Sequence, residues 1–322
     1  MNNTAAVGTA NKKKFNILHN KPLIGLIIFS IIVAFLNPRF LSAANILNVL
    51  RQTSINAIIA AGMTFVILTG GIDLSVGSIL ALCGAVSASL LAAGHSALVA
   101  IVVPLILGGI FGMASGMFIS FGKLQAFITT LVTMTLLRGA TLVFTNGMPI
   151  SIGFEENTYL FDAIGAGSIL GIPTPIYIMA VVYLASYYIL NHTKFGRYVY
   201  AVGGNEEATR LSGINIDKVK VKVYAISGVL SALSGIIVTA RLFSAQPTAG
   251  TGYELDAIAA VVLGGTSLAG GIGRITGTIT GALIIGVLSN ALNLLNVSSY
   301  YQMMIKALVI LIAVLIDRKS KK

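Results

Sequence analysis

The chain of 322 residues is 56% hydrophobic and only 10% charged, with a mean hydropathy of +0.92. Ordinary globular chains carry about one quarter charged residues, so the composition excludes a soluble domain and places the chain in a bilayer. The formal net charge of +11 does not point to nucleic acid, because the Lys and Arg residues stand at the ends of apolar runs, where they orient a membrane protein.

The first 21 residues read as a cytoplasmic tail carrying Lys12, Lys13, Lys14 and Lys21. The apolar run 22–36 follows. A basic lead before an apolar run is the charge order of a secretory signal, and Leu41-Ser42-Ala43 loosely resembles a cleavage site. The length of the lead and the loop-like Asn37-Pro38-Arg39 favour a retained first helix instead. Further runs long enough to span cover 55–70, 74–93, 97–119, 124–144, 175–190, 223–240, 257–270, 275–293 and 301–316. The expectation is an all-α integral membrane protein of ten transmembrane helices, with one membrane domain over 22–316 and a basic tail over 317–322. The run 257–270 is short and glycine-rich, so a re-entrant or broken helix fits it as well as a crossing. Cys83, the single cysteine, lies within an apolar run and cannot form an intrachain disulfide.

Charge decides the parity. With ten crossings and both termini cytoplasmic, sixteen of the 21 basic residues fall inside. If 257–270 alone failed to cross, Arg274 and the tail 317–322 would move outside, against the positive-inside rule. The segment 145–174 carries Glu155, Glu156 and Asp162 without Lys or Arg and suits an outside loop, whereas 191–222 becomes the longest cytoplasmic connection.

Aligned with itself at an offset of 200, the chain matches at nine positions without a gap, from Ala57/Ala257 through Gly70/Gly270 and Gly71/Gly271 to Ile79/Ile279. The expected topology runs both copies the same way, which makes this a parallel internal repeat. The Gly pairs interrupt both copies at membrane depth. Such breaks line a water-filled pathway or sit where helices pack closely. Gly108, Gly112 and Gly116 recur every four residues as a small-residue stripe for a partner helix in the same chain or in a second copy.

Few ionisable residues lie at depth. Arg138 and Lys306 are the clearest, and both are near enough to a span end for their long side chains to reach the headgroups. No chain of Asp, Glu or His crosses the bilayer to carry protons. Neutral polar side chains are common, and those facing a cavity would suit a neutral, hydroxylated solute. Asn56, Thr69, Thr129, Thr130 and Thr133 are the pathway candidates, although a threonine within a helix often bonds only its own backbone.

The polar stretch GGNEEATRLSGIN, 203–215, stands out against this background. Asn205 is a good N-cap, Glu206 and Glu207 complement the positive helix start, and Gly213 can end the helix in the left-handed conformation. Two helical turns are predicted. A helix so short is marginal alone, so it rests against its own bundle or against another protein.

Glu207-Ala208-Thr209 followed by Gly213 resembles the E-A-A-x-x-x-G signature of ABC importer permeases, with Thr209 in place of the second Ala. TGGIDLSVGS (69–78), AVGGNEEATRLSGIN (201–215) and SAQPTAGTGYELDAIAAVVLGGTSLAGG (244–271) together resemble the ribose branch of that family over nearly the whole chain. The resemblance implies ten helices and a homodimer of permeases in a bacterial inner membrane, with a tandem-domain ATPase on the cytoplasmic face. It also implies a periplasmic sugar-binding protein that delivers D-ribose. ATP and Mg would be bound by the ATPase, and no cofactor, metal or catalytic residue is expected in this chain. By the same resemblance, Asn205, Glu206, Glu207, Arg210, Leu211 and Gly213 couple to the ATPase, with the charges pairing across the interface and Leu211 filling its groove. Outside, Arg39, Arg241, Glu254 and Asp256 are candidates for docking the binding protein.

Two rivals can be stated. An autonomous secondary carrier needs an ion site or charged relay, which the sequence does not display. An intramembrane enzyme needs a catalytic cluster, whereas His19, His95 and His192 lie at span ends without such company. The chain also lacks the G-x-x-x-x-G-K-[ST] phosphate loop, so ATP hydrolysis belongs to another protein.

Overall fold

The computed structural model describes residues 21–153 and 158–320. Lys12, Lys13, Lys14, Glu155, Glu156, Lys321 and Lys322 therefore lie outside the described residues. Helix α1 (Lys21–Leu36) leads through a short 3-10 turn (Pro38–Leu41) into α2 (Ala43–Leu68). Next come α3 (Val76–Ala92), α4 (Ala97–Ser120) and α5 (Ala126–Phe144), then β1 (Ile150–Ser151), α6 (Tyr159–Gly165), β2 (Ser168–Ile169) and β3 (Ile172–Pro173). The chain continues through α7 (Thr174–His192), α8 (Lys194–Gly204), α9 (Glu206–Leu211), α10 (Ile216–Leu242) and β4 (Ser244–Ala245), and ends in α11 (Tyr253–Leu263), α12 (Ile275–Leu294) and α13 (Ser299–Ser320). Among the described residues, the strands form only two small antiparallel pairs, β1 with β4 and β2 with β3.

Among the described residues, six helices, α2, α4, α5, α7, α10 and α12, are long and apolar enough to cross a membrane, and α1 and α3 are shorter apolar helices. Helix α2 is the axis of the bundle. Ser42 caps its start by accepting from the Asn45 amide, and every residue from 53 to 68 except Asn56 is buried, against α7, α10, α11 and α12. Helices α4, α5 and α7 leave most of their apolar surface uncovered, including Ile106, Phe118, Val132, Leu136 and Leu184. An apolar exterior around a polar-seamed interior is stable only where hydrocarbon replaces water.

The glycine stripe finds its partner inside the chain. A Cβ at Gly108 would strike Ala232 and the Gly228 carbonyl, one at Gly112 the Tyr224 carbonyl, and one at Gly116 the backbone of Val221. Helices α4 and α10 thus pack with their backbones nearly touching, as small-residue seams permit.

The predicted run 257–270 is not one continuous helix. Its helical part, α11, starts earlier and stops at Leu263. Eleven residues rise about 16 Å, roughly half of the ~30 Å hydrocarbon core. Residues 264–274 then proceed without helix, with Gly265, Gly270 and Gly271 at φ of +84°, +86° and +70°. This segment reaches the C-terminal end of α2, where the Gly271 amide donates to the Leu68 carbonyl at 2.9 Å. Gly70, at φ +78°, follows the end of α2 in the same place.

The bundle has two distinct ends. At one, the C-termini of α2 and α4 and the N-termini of α5 and α10 gather with α8, α9 and residues 264–274. At the other, β1 pairs with β4, Asn37 Nδ2 donates to the Leu294 carbonyl, and Arg138 donates to the carbonyls of Pro247 and Ala249 at 2.8 and 2.9 Å. Arg138 therefore clamps the 244–252 loop rather than reaching for headgroups.

Candidate functional site

A cavity of about 360 Å³ opens among α2, α10, α11, α12 and α13. Helical periodicity aims its lining. Gln52, Thr53 and Asn56 share one face of α2, Tyr253 and Asp256 one face of α11, and Ile285, Gly286 and Ser289 one face of α12. Arg241, at the end of α10, and Lys306, on α13, complete a charged wall. Lys306 Nζ lies 2.9 Å from Asp256 Oδ2, and Asn56 Nδ2 donates to the same oxygen at 3.2 Å. Lys306 thus pairs across the bundle instead of reaching for the headgroups. Asp256 is only 8% exposed, so this carboxylate needs both partners.

Of the residues expected to dock a partner outside, Arg241 and Asp256 turn into this cavity, and Asp256 is closed into an ion pair. Glu254 is half-buried beside Gly77, where a Cβ would meet its carboxylate oxygen, and only Arg39, on the 3-10 turn, is well exposed.

The pathway candidates separate. Asn56 lines the cavity. Thr69 donates to the Val66 carbonyl and borders a second recess, of about 570 Å³, at the α9 end. Thr129 donates to Gln125 O, Thr130 to Ala126 O at 2.9 Å, and Thr133 to Thr129 O while also meeting the Ser115 hydroxyl at 3.0 Å. These three are satisfied within α5 and against α4, and none of them is among the residues that line the cavity.

At the α9 end, Asn205 Oδ1 accepts from the Ala208 amide at 2.9 Å, and the Thr209 hydroxyl is buried on Asn205 O. Gly213 adopts φ +78° just past the helix, as its type and place predict. Glu206 is engaged within the chain, 2.8 Å from Lys220 and 3.5 Å from Arg210. Glu207 is exposed, and Leu211 is 81% exposed. Helix α9 thus buries Thr209 and presents Leu211 outward.

Helix α8, which the sequence reading left inside a connection, links α9 to the core. A Cβ on Gly203 would collide with the Leu68 carbonyl and the Gly271 amide, so α8 lies directly on the hydrogen bond that joins the two glycine breaks. The Tyr200 hydroxyl donates to Gly273 O at 3.0 Å. Burial pushes its pKa up, and the nearby Arg274 partly offsets this.

Asp73 is a second residue that the sequence reading passed over. It is fully buried and accepts from the Ser75 amide, the Ser75 hydroxyl at 2.6 Å and the Ser227 hydroxyl at 2.7 Å. It pins the loop after α2 to α10, close to where the Tyr224 hydroxyl donates to Ile72 O. The one available signal was an acid in an otherwise apolar repeat.

A lipid-facing bundle around a charged cavity, with an amphipathic helix pair seated on its broken segments, is the architecture of a membrane permease. The chain belongs to the family described as branched-chain amino acid transport system, permease component, whose model matches residues 45–314. It is 60% identical over 305 residues to the ribose import permease protein of Escherichia coli strain K12, covering 95% of each chain. Identity is 62% over 301 residues to the protein of that name from Haemophilus influenzae, covering 94% of this chain and 93% of the relative. The Haemophilus influenzae xylose transport system permease protein is 37% identical over 359 aligned positions, covering 92% of this chain and 96% of the relative. No solved structure matches the chain.

Proposed function

We propose that this chain is the membrane-spanning subunit of an ATP-driven importer that carries D-ribose across a bacterial inner membrane. The observation that carries the reading is its 60% identity, over 95% of its length, to a ribose import permease. Two copies of the permease associate. A separate ATPase with two nucleotide-binding domains binds ATP and Mg on the cytoplasmic face, and a periplasmic sugar-binding protein delivers the substrate. The chain makes ten passages with both termini cytoplasmic, α11 and residues 264–274 together forming one of them. The alternation of helix ends along the bundle supports this count, as does the placing of sixteen of the 21 basic residues inside.

Coupling runs through α9. Leu211 and Glu207 face a groove of the ATPase, and α8 passes the movement through Gly203 to both glycine breaks. The intrachain pair of Glu206 with Lys220 holds α9 in register, which gives Glu206 a supporting role beside the contact residues. The contact of offset-200 partners at Asn56–Asp256 and Gly70–Gly270 supports a parallel repeat about an axis between α2 and α11.

The test is uptake of radiolabelled ribose by cells lacking their own ribose permease but retaining its ATPase and binding protein. The chain should restore uptake, and Leu211→Asp should abolish it while the protein stays in the membrane. Failure of the unaltered chain to restore uptake of any pentose would overturn the assignment.

A further inference from the structure

Resting on the sugar-import reading, we propose that the cavity among α2, α10, α11, α12 and α13 is the site that holds the monosaccharide in transit, with Thr53, Asn56 and Asp256 bonding its hydroxyls. Its volume of about 360 Å³ is in the range of small-molecule sites, which begins near 300 Å³. Among the described residues, the Asn56 Oδ1 and Thr53 Oγ1 atoms are buried and have no hydrogen-bond partner. Leaving one such group unpaired costs about 1–3 kcal/mol, and both border the same space. Thr53 is 3% exposed, so bulk solvent does not satisfy it. Asn56 is the one residue of 53–68 that is not buried, and the cavity is where it is uncovered.

The opposite wall is shaped around these groups. A Cβ at Gly286 would collide with the Thr53 hydroxyl, so glycine at this point of α12 leaves room for that hydroxyl at the cavity border. Lys306 and the Asn56 amide fix the Asp256 carboxylate, offering an oriented acceptor whose charge is already balanced. That suits a neutral solute rich in hydroxyls, which both donate and accept. An apolar solute would leave the Asn56 Oδ1 and Thr53 Oγ1 atoms unpaired. The Tyr253 ring, on the same wall, offers an apolar face for the C–H side of a sugar ring. Asn56 and Asp256 are also partners at the offset of 200, which puts the site on the seam between the repeated halves, where transporters with internal repeats hold their substrates.

The experiment uses the complete importer in proteoliposomes and reads ribose imported per ATP hydrolysed. Asn56→Ala and the isosteric Thr53→Val should each lower this ratio about tenfold, the scale of one lost hydrogen bond (~1.4 kcal/mol). Leu136→Ala, on the exposed face of α5, should match the unaltered protein. Unaltered ratios in both cavity variants would overturn the proposal. A second measurement does not depend on which sugar is carried. Ser289→Cys should react with a hydrophilic methanethiosulfonate reagent at least tenfold faster than Leu136→Cys, the buried Cys83 serving as the blank. Equal rates would overturn the cavity assignment even if ribose is imported. An importer that carries no ribose but labels fast at Ser289→Cys would instead refute the choice of sugar and leave the cavity supported.

Discussion

Lys306→Met removes the only cation paired with the Asp256 carboxylate among the described residues while keeping most of the apolar stem. The two charges lie 2.9 Å apart, with side chains 23% and 10% exposed. Breaking a fully buried pair by deleting one partner costs about 3–5 kcal/mol. Lys306 keeps about a quarter of its surface, so screening lowers the figure, and the Asn56 amide still donates to Asp256. The expected loss is therefore about 2 kcal/mol. Asp256→Asn strands the ammonium instead, at about 1–2 kcal/mol, because the partly exposed amine of Lys306 recovers more of its hydration than the buried carboxylate does. The double variant D256N/K306M should be no worse than the poorer single variant, giving a coupling of about 1 kcal/mol or more. Thermal unfolding in detergent can be followed with a fluorogenic maleimide, because Cys83 is the single cysteine of the chain and is buried. Losses that add within about 0.5 kcal/mol would refute the pair.

Gly203→Ala should separate the two roles of the α8 end. Overpacking against backbone costs about 1–3 kcal/mol, and because the clash falls on Leu68 and Gly271, ATP hydrolysis should lose its dependence on sugar-loaded binding protein more than folding suffers. Gly213→Ala forces a side chain into φ +78° at about 1–2 kcal/mol and should weaken co-purification of the ATPase, with Gly213→Pro worse. The double change T130V/T133V should leave uptake within twofold, because both hydroxyls are satisfied inside α5 and against α4; a tenfold fall would return them to the pathway. Arg241→Glu places an acid opposite Asp256 in the cavity and should reduce uptake even at saturating binding protein, whereas a purely docking role predicts rescue at high concentration.

What the sequence determined by itself was whatever depends on neighbours along the chain. Hydropathy over about 20 residues marks a span, a glycine every fourth residue makes a stripe, and Asn205 and Gly213 cap a helix from within one turn, so these were legible before any coordinates. The membrane class, most of the helices and the short polar helix α9 follow from such local rules. Tertiary structure alone decided which groups meet across the bundle. Lys306 and Arg138 had the reach to snorkel, but packing put a carboxylate beside one and two carbonyls beside the other. Asn56 meets Asp256 from 200 residues away, and no window along the chain contains both. The same limit left the place of the break open: the glycine-rich run 257–270 admitted a broken helix, whereas the end after Leu263 is set because residues 264–274 bond to α2 and lie under α8 instead of continuing their own ladder. Local periodicity records how each helix divides its faces, and only the assembled bundle says whether a buried polar face meets another helix or a cavity.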